Sequence, residues 1–226
     1  MKILFNFASR SRPDKFFRHL DNIHIHTRTE DFIILASLDE DDRAMCNNQI
    51  KERLLKYPQV YPIWGASENK VHAINRAMLQ APDNYEIVIN TSDDMHFIEQ
   101  GFDEIIYNDM KEHFPDGDGV LHYPDQNQAE RCMTMSIMGK KYYDRDKYIY
   151  NPAYKSLWCD LEAQEVAERR GCYKFINKRL FNHNHPSFGQ GHYDEQYRKT
   201  ESMEVRNADE QVYRTRQMAN FYISAK

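Results

Sequence analysis

The sequence predicts an α/β domain with a mixed, mainly parallel sheet flanked by helices. Two observations carry that expectation. Short apolar runs alternate with segments whose apolar residues recur at helical spacing, and acidic clusters close two of the runs. With 226 residues there is room for one large domain over 1–226 and not for two. Surface scaling predicts roughly 11,000 Å² exposed after folding, enough burial for a core without disulfide staples.

Ile3, Leu4, Phe5 and Phe7 read as a buried strand, followed by a polar turn, Ser9 to Arg12, and by Pro13, which opens a helix faced by Phe16, Phe17, Leu20 and Ile23. Phe32 to Leu35 form a second strand that ends in Asp39 to Asp42, and Ile50, Leu54 and Tyr57 mark the next helix. Val60, Ile63 and Trp64 suggest a third strand. Ser67 is then the expected N-cap of a helix lined by Val71, Ile74 and Met78. Ile87 to Ile89 form the fourth strand, closed by Thr91 to Asp94, and Phe102, Ile105, Ile106 and Met110 give another helix face. Such alternation implies right-handed crossovers in a doubly wound sheet. The later half is less regular, with strands expected over 120–123 and 132–138, a helix from Asp160 to Arg170 with Asp160 as N-cap and Gly171 beyond its end, and a terminal helix over 207–220.

Composition excludes several classes. Lys and Arg number 30 against 35 Asp and Glu, a net charge of -5, so the chain as a whole is not a basic nucleic-acid binder. Four cysteines without a C-x-x-C pair fit reduced thiols and a cytoplasmic setting rather than a disulfide framework or a zinc knuckle. No apolar run approaches the ~20 residues of a membrane span, so no integral membrane contact is expected.

In an open α/β sheet, ligands bind at the carboxyl ends of the strands, where Asp39 to Asp42 and Asp93-Asp94 fall. Converging carboxylates require a cation between them or water around them, and Mg²⁺ or Mn²⁺ with a diphosphate answers that need. The plainer reading of Asp39 to Asp42 is an acidic helix start.

Taken in order, these residues resemble the GT-A glycosyltransferases, the family-2-like nucleotide-diphospho-sugar transferases. The resemblance rests on Ser9-Arg10-Ser11-Arg12-Pro13, Leu38-Asp39, the stretch from Gly65 to Asn75, and Ser92-Asp93-Asp94-Met95, and covers about residues 2–190. It implies a single GT-A-like (Rossmann-like) domain with a nucleotide-binding half, 1–115, and an acceptor-side half, 116–226. It assigns donor binding to Arg10, Arg12, Asp39, Asn69, Lys70 and Asp93. The divalent ion falls to the Asp93-Asp94 pair; Ser-Asp-Asp replaces a strict D-x-D and leaves both aspartates as candidate ligands, Asp94 ahead. Leu157 to Glu162 looks like the family's acidic segment beside the acceptor. Asp160 is the expected general base and Glu162, about 200° further round a helix, the second choice. His183-Asn184-His185-Pro186, followed by Phe188 and Gly191, puts two imidazoles on one side of an extended segment. In the family a C-terminal histidine completes the metal shell, which names His185 ahead of His183. His24 and His26 share the spacing but lack acidic neighbours and are read as solvent-facing.

The resemblance implies metal-dependent transfer of a sugar, with inversion, from a nucleotide-sugar donor to a hydroxyl acceptor. Competing readings are a sugar-phosphate nucleotidyltransferase, against which the glycine-free loop from Asn6 to Arg12 counts, a non-catalytic nucleotide- or glycan-binding module, and a His-x-His metallohydrolase. The acceptor could be a soluble glycan, a small molecule, a protein or a modified DNA base. The last is suggested by the basic stretch Arg169, Arg170, Lys174, Lys178 and Arg179.

Overall fold

The computed structural model describes residues 2–190 and 192–223; Gly191 of the histidine loop lies outside them. The elements are β1 (Ile3–Ala8), α1 (Pro13–His26), β2 (Phe32–Asp39), α2 (Asn48–Leu54), β3 (Val60–Gly65), α3 (Lys70–Met78), β4 (Ile87–Asn90), β5 (Met95–Phe97), α4 (Phe102–His113), β6 (Val120–His122), β7 (Ser136–Gly139), α5 (Lys140–Asp146), α6 (Cys159–Arg169), β8 (Tyr173–Phe175), β9 (Phe181–His183), α7 (Glu195–Thr200) and α8 (Met203–Met218). Seven strands form one sheet in the order β3-β2-β1-β4-β7-β6-β8, and β5 pairs with β9 in a separate ribbon. Strands β1 to β4 are parallel, whereas β7 runs antiparallel between β4 and β6. The sheet is therefore mixed and mainly parallel, and the accessible surface is 11017 Å².

Side chains alternate across the sheet and so build two apolar layers. On one face Phe5 meets Phe32, Phe97 and Phe102 edge to face at 5.7, 6.2 and 6.0 Å, and Phe7 packs on Phe16 at 5.2 Å, which seats α1 and α4. On the other, Leu4, Leu35 and Val88 pack with Val71, Ile74 and Ala77 of α3 and with residues of α5 and α6. Chain order reverses between β1 and β4, because β2 and β3 extend one way from β1 and β4 lies on its other side. There the fully buried Asn6 donates to Asn90 Oδ1 at 3.0 Å and to the Ile74 carbonyl at 3.2 Å.

Several local expectations give way to tertiary contacts. Helix α2 stops at Leu54, leaving Tyr57 to stack on Phe17 from the following turn. Asn69 rather than Ser67 caps α3, accepting the His72 N–H at 2.8 Å. Helix α6 begins at Cys159 with Trp158, not Asp160, at its N-cap, so Asp160 sits inside the first turn. The cause lies in α8. The buried Asp209 carboxylate accepts the N–H groups of Lys155, Ser156 and Leu157 at 2.9, 2.8 and 2.8 Å, and the chain leaves that turn with Trp158 at φ 64°. Of the run 132–138 only the end joins a strand, and α8 starts at Met203, four residues before the expected helix. His24 and His26 are half-buried, each bonded to the carbonyl four residues back.

Two core histidines set an acid limit. Burial lowers His19, whose Nδ1–H donates to the Met95 carbonyl at 2.7 Å, from 6.5 to about 4, and likewise lowers His122, whose Nδ1 lies 2.6 Å from the Tyr173 hydroxyl, to about 4. Both are neutral in the fold, while the unfolded chain takes up protons below about pH 6.5. Stability is therefore full above that value and falls as pH drops toward about 4, by on the order of 3 kcal/mol per histidine. Urea unfolding across this window is expected to show the decline, and His19→Gln, which keeps a donor for Met95, is expected to flatten it.

Candidate active site

Strands β1, β2 and β4 end at one edge of the sheet. Their outgoing loops, the first turns of α3 and α6, and residues of 183–185 and 196–201 enclose an open cleft of about 270 Å³. Arg10, Arg12, Asp39, Asn69, Lys70, Asp93, Asp94, Asp160, His183 and His185 all line it; Glu162 does not.

The loop after β1 supplies the cations. Arg10 Nη1 binds Asp39 at 2.6 Å, and its two terminal nitrogens clasp Asp41 at 2.7 and 2.9 Å. Ser9 Oγ–H donates to Asp93 at 2.7 Å, and Arg12 Nη1 reaches the other oxygen of Asp93 at 3.1 Å. Arg12 Nη2 binds Asp194 at 2.7 Å, and its guanidinium lies 4.1 Å from the centre of the Tyr197 ring. At the far wall Asn69 caps α3. Lys70, one residue on, is exposed and makes no ion pair among the described residues. Asp39 to Asp42 do not start a helix. They form a turn in which Asp42 accepts the N–H of Ser11 at 2.5 Å and of Ala44 at 3.1 Å.

The paired acids have opposite environments. Burial raises the Asp93 carboxyl above its ordinary range, with the neighbouring Asp94 charge adding to the effect and Arg12 opposing it. Burial acts on Asp94 in the same sense, but contacts from His183, Ser92 and Tyr197 outweigh it and hold that carboxyl well below the usual range. His183 Nε2 is 3.6 Å from Asp94 Oδ2, and its Nδ1 is 3.4 Å from Asp125 Oδ2. Burial would lower this imidazole, yet the two carboxylates lift it to about 9. The ring therefore sits where a positive charge is favoured.

His185 is employed elsewhere. Its Nε2 lies 2.8 Å from Glu201 Oε1, and its Nδ1 accepts the Ser187 N–H at 3.3 Å, so His183 and not His185 faces Asp94. The two rings remain neighbours, with centroids 5.3 Å apart.

Asp160 lines the cleft from the first turn of α6, with Oδ1 accepting the Leu161 N–H at 2.9 Å. Burial, then the Asp160 charge, push the Cys132 thiol far up, and burial does the same to Cys159. Both stay protonated, which removes them as nucleophiles. Glu162 points away from the cleft. It is 3% exposed, held by Arg216 at 2.8 and 3.0 Å and by the Tyr154 hydroxyl at 2.6 Å, and it ties α6 to α8.

The short helix α7 carries residues that sequence reasoning missed: Tyr197, whose hydroxyl donates to Asp94; Asp194, which caps the helix and binds Arg12 and Lys15; and Lys199 on the cleft wall. An Asp followed by an acidic residue is a helix-start signal and could have revealed α7. The basic stretch is largely neutralised and outside the cleft. Arg169 pairs with Glu165, Arg170 with Asp146 and Lys178 with Glu99.

With this geometry in hand, the fold can be compared with solved structures. Staphylococcus aureus TarS bound to UDP superposes with a TM-score of 0.62 at 15% identity, over 80% of this chain and 60% of the TarS chain. The protein thus spans about three fifths of that TarS 1–349 chain and 36% of the longer TarS chain. The mannosyltransferase PcManGT from Pyrobaculum calidifontis, in complex with GDP-Man and Mn²⁺, gives 0.62 at 10% identity over 99% and 76%. The 4-diphosphocytidyl-2C-methyl-D-erythritol synthase from Anaerococcus prevotii gives 0.55 at 12% identity over 94% and 96%. The fold is GT-A-like. No family model and no curated protein matches the chain in sequence.

Because Glu162 serves the α6–α8 junction, Glu162→Gln is expected to lower stability by about 1–3 kcal/mol, the cost of weakening its bonds to the half-buried Arg216. Urea unfolding measures the loss. UDP affinity, measured by calorimetry on the folded variant, is expected to stay at the wild-type value.

Proposed function

We propose that the protein transfers a sugar, with inversion, from a nucleoside-diphosphate donor to a hydroxyl acceptor, using Mn²⁺ or Mg²⁺. The observation that carries this reading is the convergence, at the point where strand order reverses, of Asp93-Asp94, two arginines, Lys70, His183 and Asp160 on one cleft. The complexes of structural relatives with UDP and with GDP-Man and Mn²⁺ support it.

The donor set suits the ion. Among the described residues no three His, Cys, Asp or Glu side chains form an ion-holding group by themselves. Small divalent ions are, however, commonly held by one or two carboxylates together with substrate phosphates, and atoms sharing an octahedral ion lie roughly 3 Å apart. Asp94 Oδ2 and His183 Nε2, 3.6 Å apart, are the pair that would hold it, the ring giving up its Nε2 proton to the ion. Bound there, the ion would neutralise charge developing on the leaving diphosphate.

The chain's own groups account for the other tasks. Arg12 and Lys70 offer donors to phosphate oxygens, Arg12 by exchanging Asp93 or Asp194 for them, and Lys70 from an ion-pair-free position. Asp39, Arg10 and Asn69 line the stretch left for the nucleoside. Asp160 takes the proton of the acceptor hydroxyl as it attacks the sugar opposite the diphosphate. With Arg169, Arg170 and Lys178 of the basic stretch in ion pairs and the stretch outside the cleft, a glycan, protein or small-molecule acceptor fits better than modified DNA. Sugar-phosphate nucleotidyl transfer, the reading closest in fold, is distinguished by its product, pyrophosphate rather than a nucleoside diphosphate.

UDP or GDP binding by calorimetry is expected to strengthen on addition of Mn²⁺ and to lose that dependence in Asp94→Ala; equal affinity in EDTA and in Mn²⁺ removes the metal assignment. Asp160→Asn is expected to keep donor affinity and to lower donor turnover by roughly 10²-fold or more, the loss of a positioned base. Near wild-type turnover would return Asp160 to a purely structural place in α6.

A further inference from the structure

We infer that Asp125, aided by Gln126 and Asn127, is a positioning unit for His183 that fixes the ring with Nε2 toward Asp94, ready to ligate the divalent ion. The inference rests on the metal-dependent reading above and names a residue outside the cleft lining.

Three consecutive side chains after β6 serve one residue of β9. Gln126 uses both ends of its amide, accepting the His183 N–H with Oε1 at 2.8 Å and donating Nε2–H to the His183 carbonyl at 3.0 Å. Asn127 Nδ2–H reaches the same carbonyl at 2.9 Å. Asp125 faces the ring. Its side chain has no solvent exposure, and its oxygens are already fixed by the N–H groups of Asn127 at 2.8 Å and Gln128 at 2.5 Å and by the Thr134 hydroxyl at 3.1 Å. A carboxylate so held cannot turn away from the imidazole.

The consequence is one of orientation. An ionised carboxylate only accepts, so Asp125 takes the Nδ1–H, and an ion that displaces the Nε2 proton beside Asp94 meets a ring already held at its other nitrogen. His183 Nδ1 is buried and lacks a well-aligned hydrogen bond at 3.4 Å, a contact that a small ring rotation would tighten. A backbone clamp with a fixed carboxylate behind the ring is more than a structural histidine requires, since the clamp alone would hold β9. Carboxylates placed behind metal-bound histidines orient them in this way, and their loss commonly weakens metal binding by 10- to 100-fold.

The test uses Asp125→Asn in the full chain, which keeps an acceptor oxygen for the turn but sets an amide N–H against Nδ1. Mn²⁺ binding is followed by electron paramagnetic resonance with UDP or GDP present, and thermal unfolding is followed in parallel. The expected result is Mn²⁺ affinity lower by roughly 10- to 100-fold, with metal-free nucleotide binding unchanged. Long-range ¹⁵N spectra of the wild-type ring, taken with Mg²⁺ and UDP or GDP bound, are expected to show the proton on Nδ1, a readout that needs no variant to fold. Wild-type Mn²⁺ affinity in Asp125→Asn, or a wild-type ring protonated on Nε2, overturns the inference alone. A wild-type protein that binds no Mn²⁺ with either nucleotide overturns the metal reading as well.

Discussion

The parallel register of β1 against β4, in which Asn6 lies opposite Asn90, determines where the charged groups of the cleft come to rest. Asn6 Nδ2–H donates to Asn90 Oδ1 inside the sheet, and a one-residue slip would break that buried bond and leave the Asn90 oxygen without its donor, at a cost of about 1–3 kcal/mol. Continued past the strand ends, the same register brings Ser9 opposite Asp93, where they hydrogen-bond, and so brings Arg12 within reach of the second oxygen. Strand β2, paired with β1 on the other side, delivers Asp39 to Arg10. The cleft is thus a consequence of strand pairing carried into the loops.

Gathering carboxylates at one edge has a cost, and the chain offsets it by pairing most of them. Asp39 and Asp41 share Arg10, Asp93 and Asp194 share Arg12, Glu201 meets His185, and Asp94 and Asp125 flank His183. Half-buried pairs of this kind contribute little net stability, because desolvation offsets much of the attraction. Their value is geometric: each acid and base is held in one rotamer before any ligand arrives, which lowers the ordering cost of binding.

The parts of this arrangement that could be read from sequence are those set by periodicity and by strand ends. The βα alternation through α4 has long apolar runs whose spacing differs clearly between strand and helix, and the acidic groups directly follow the runs. Strands β5, β8 and β9 have three residues each, too few to display a period, and α7 has only six. The N-cap expected at Asp160 fails for a different reason. Asp209, some fifty residues on, wraps the N–H groups of 155–157 and the N-cap falls two residues early, at Trp158, a constraint with no local signature. The choice between His183 and His185 is similar. Their spacing is symmetrical, and what separates them is Glu201 on one side and Asp125 on the other, residues distant in sequence.

The same pairing governs how an anionic ligand could enter. Arg12 donates to Asp93 and Asp194 and stacks on Tyr197, while the Tyr197 hydroxyl donates to Asp94, so the first-strand loop, the acidic pair and α7 form one connected network. A phosphate that takes a donor from Arg12 leaves Asp93 or Asp194 short of a partner, and the desolvated Asp93, already raised above its ordinary range, suffers the larger penalty. A second cation near the acidic pair removes that penalty. If both ligands bind as proposed, they would be coupled through Arg12 even though neither touches the other's protein groups. That coupling would be reciprocal, since whatever favours a cation beside Asp93 and Asp94 would free Arg12 by the same amount.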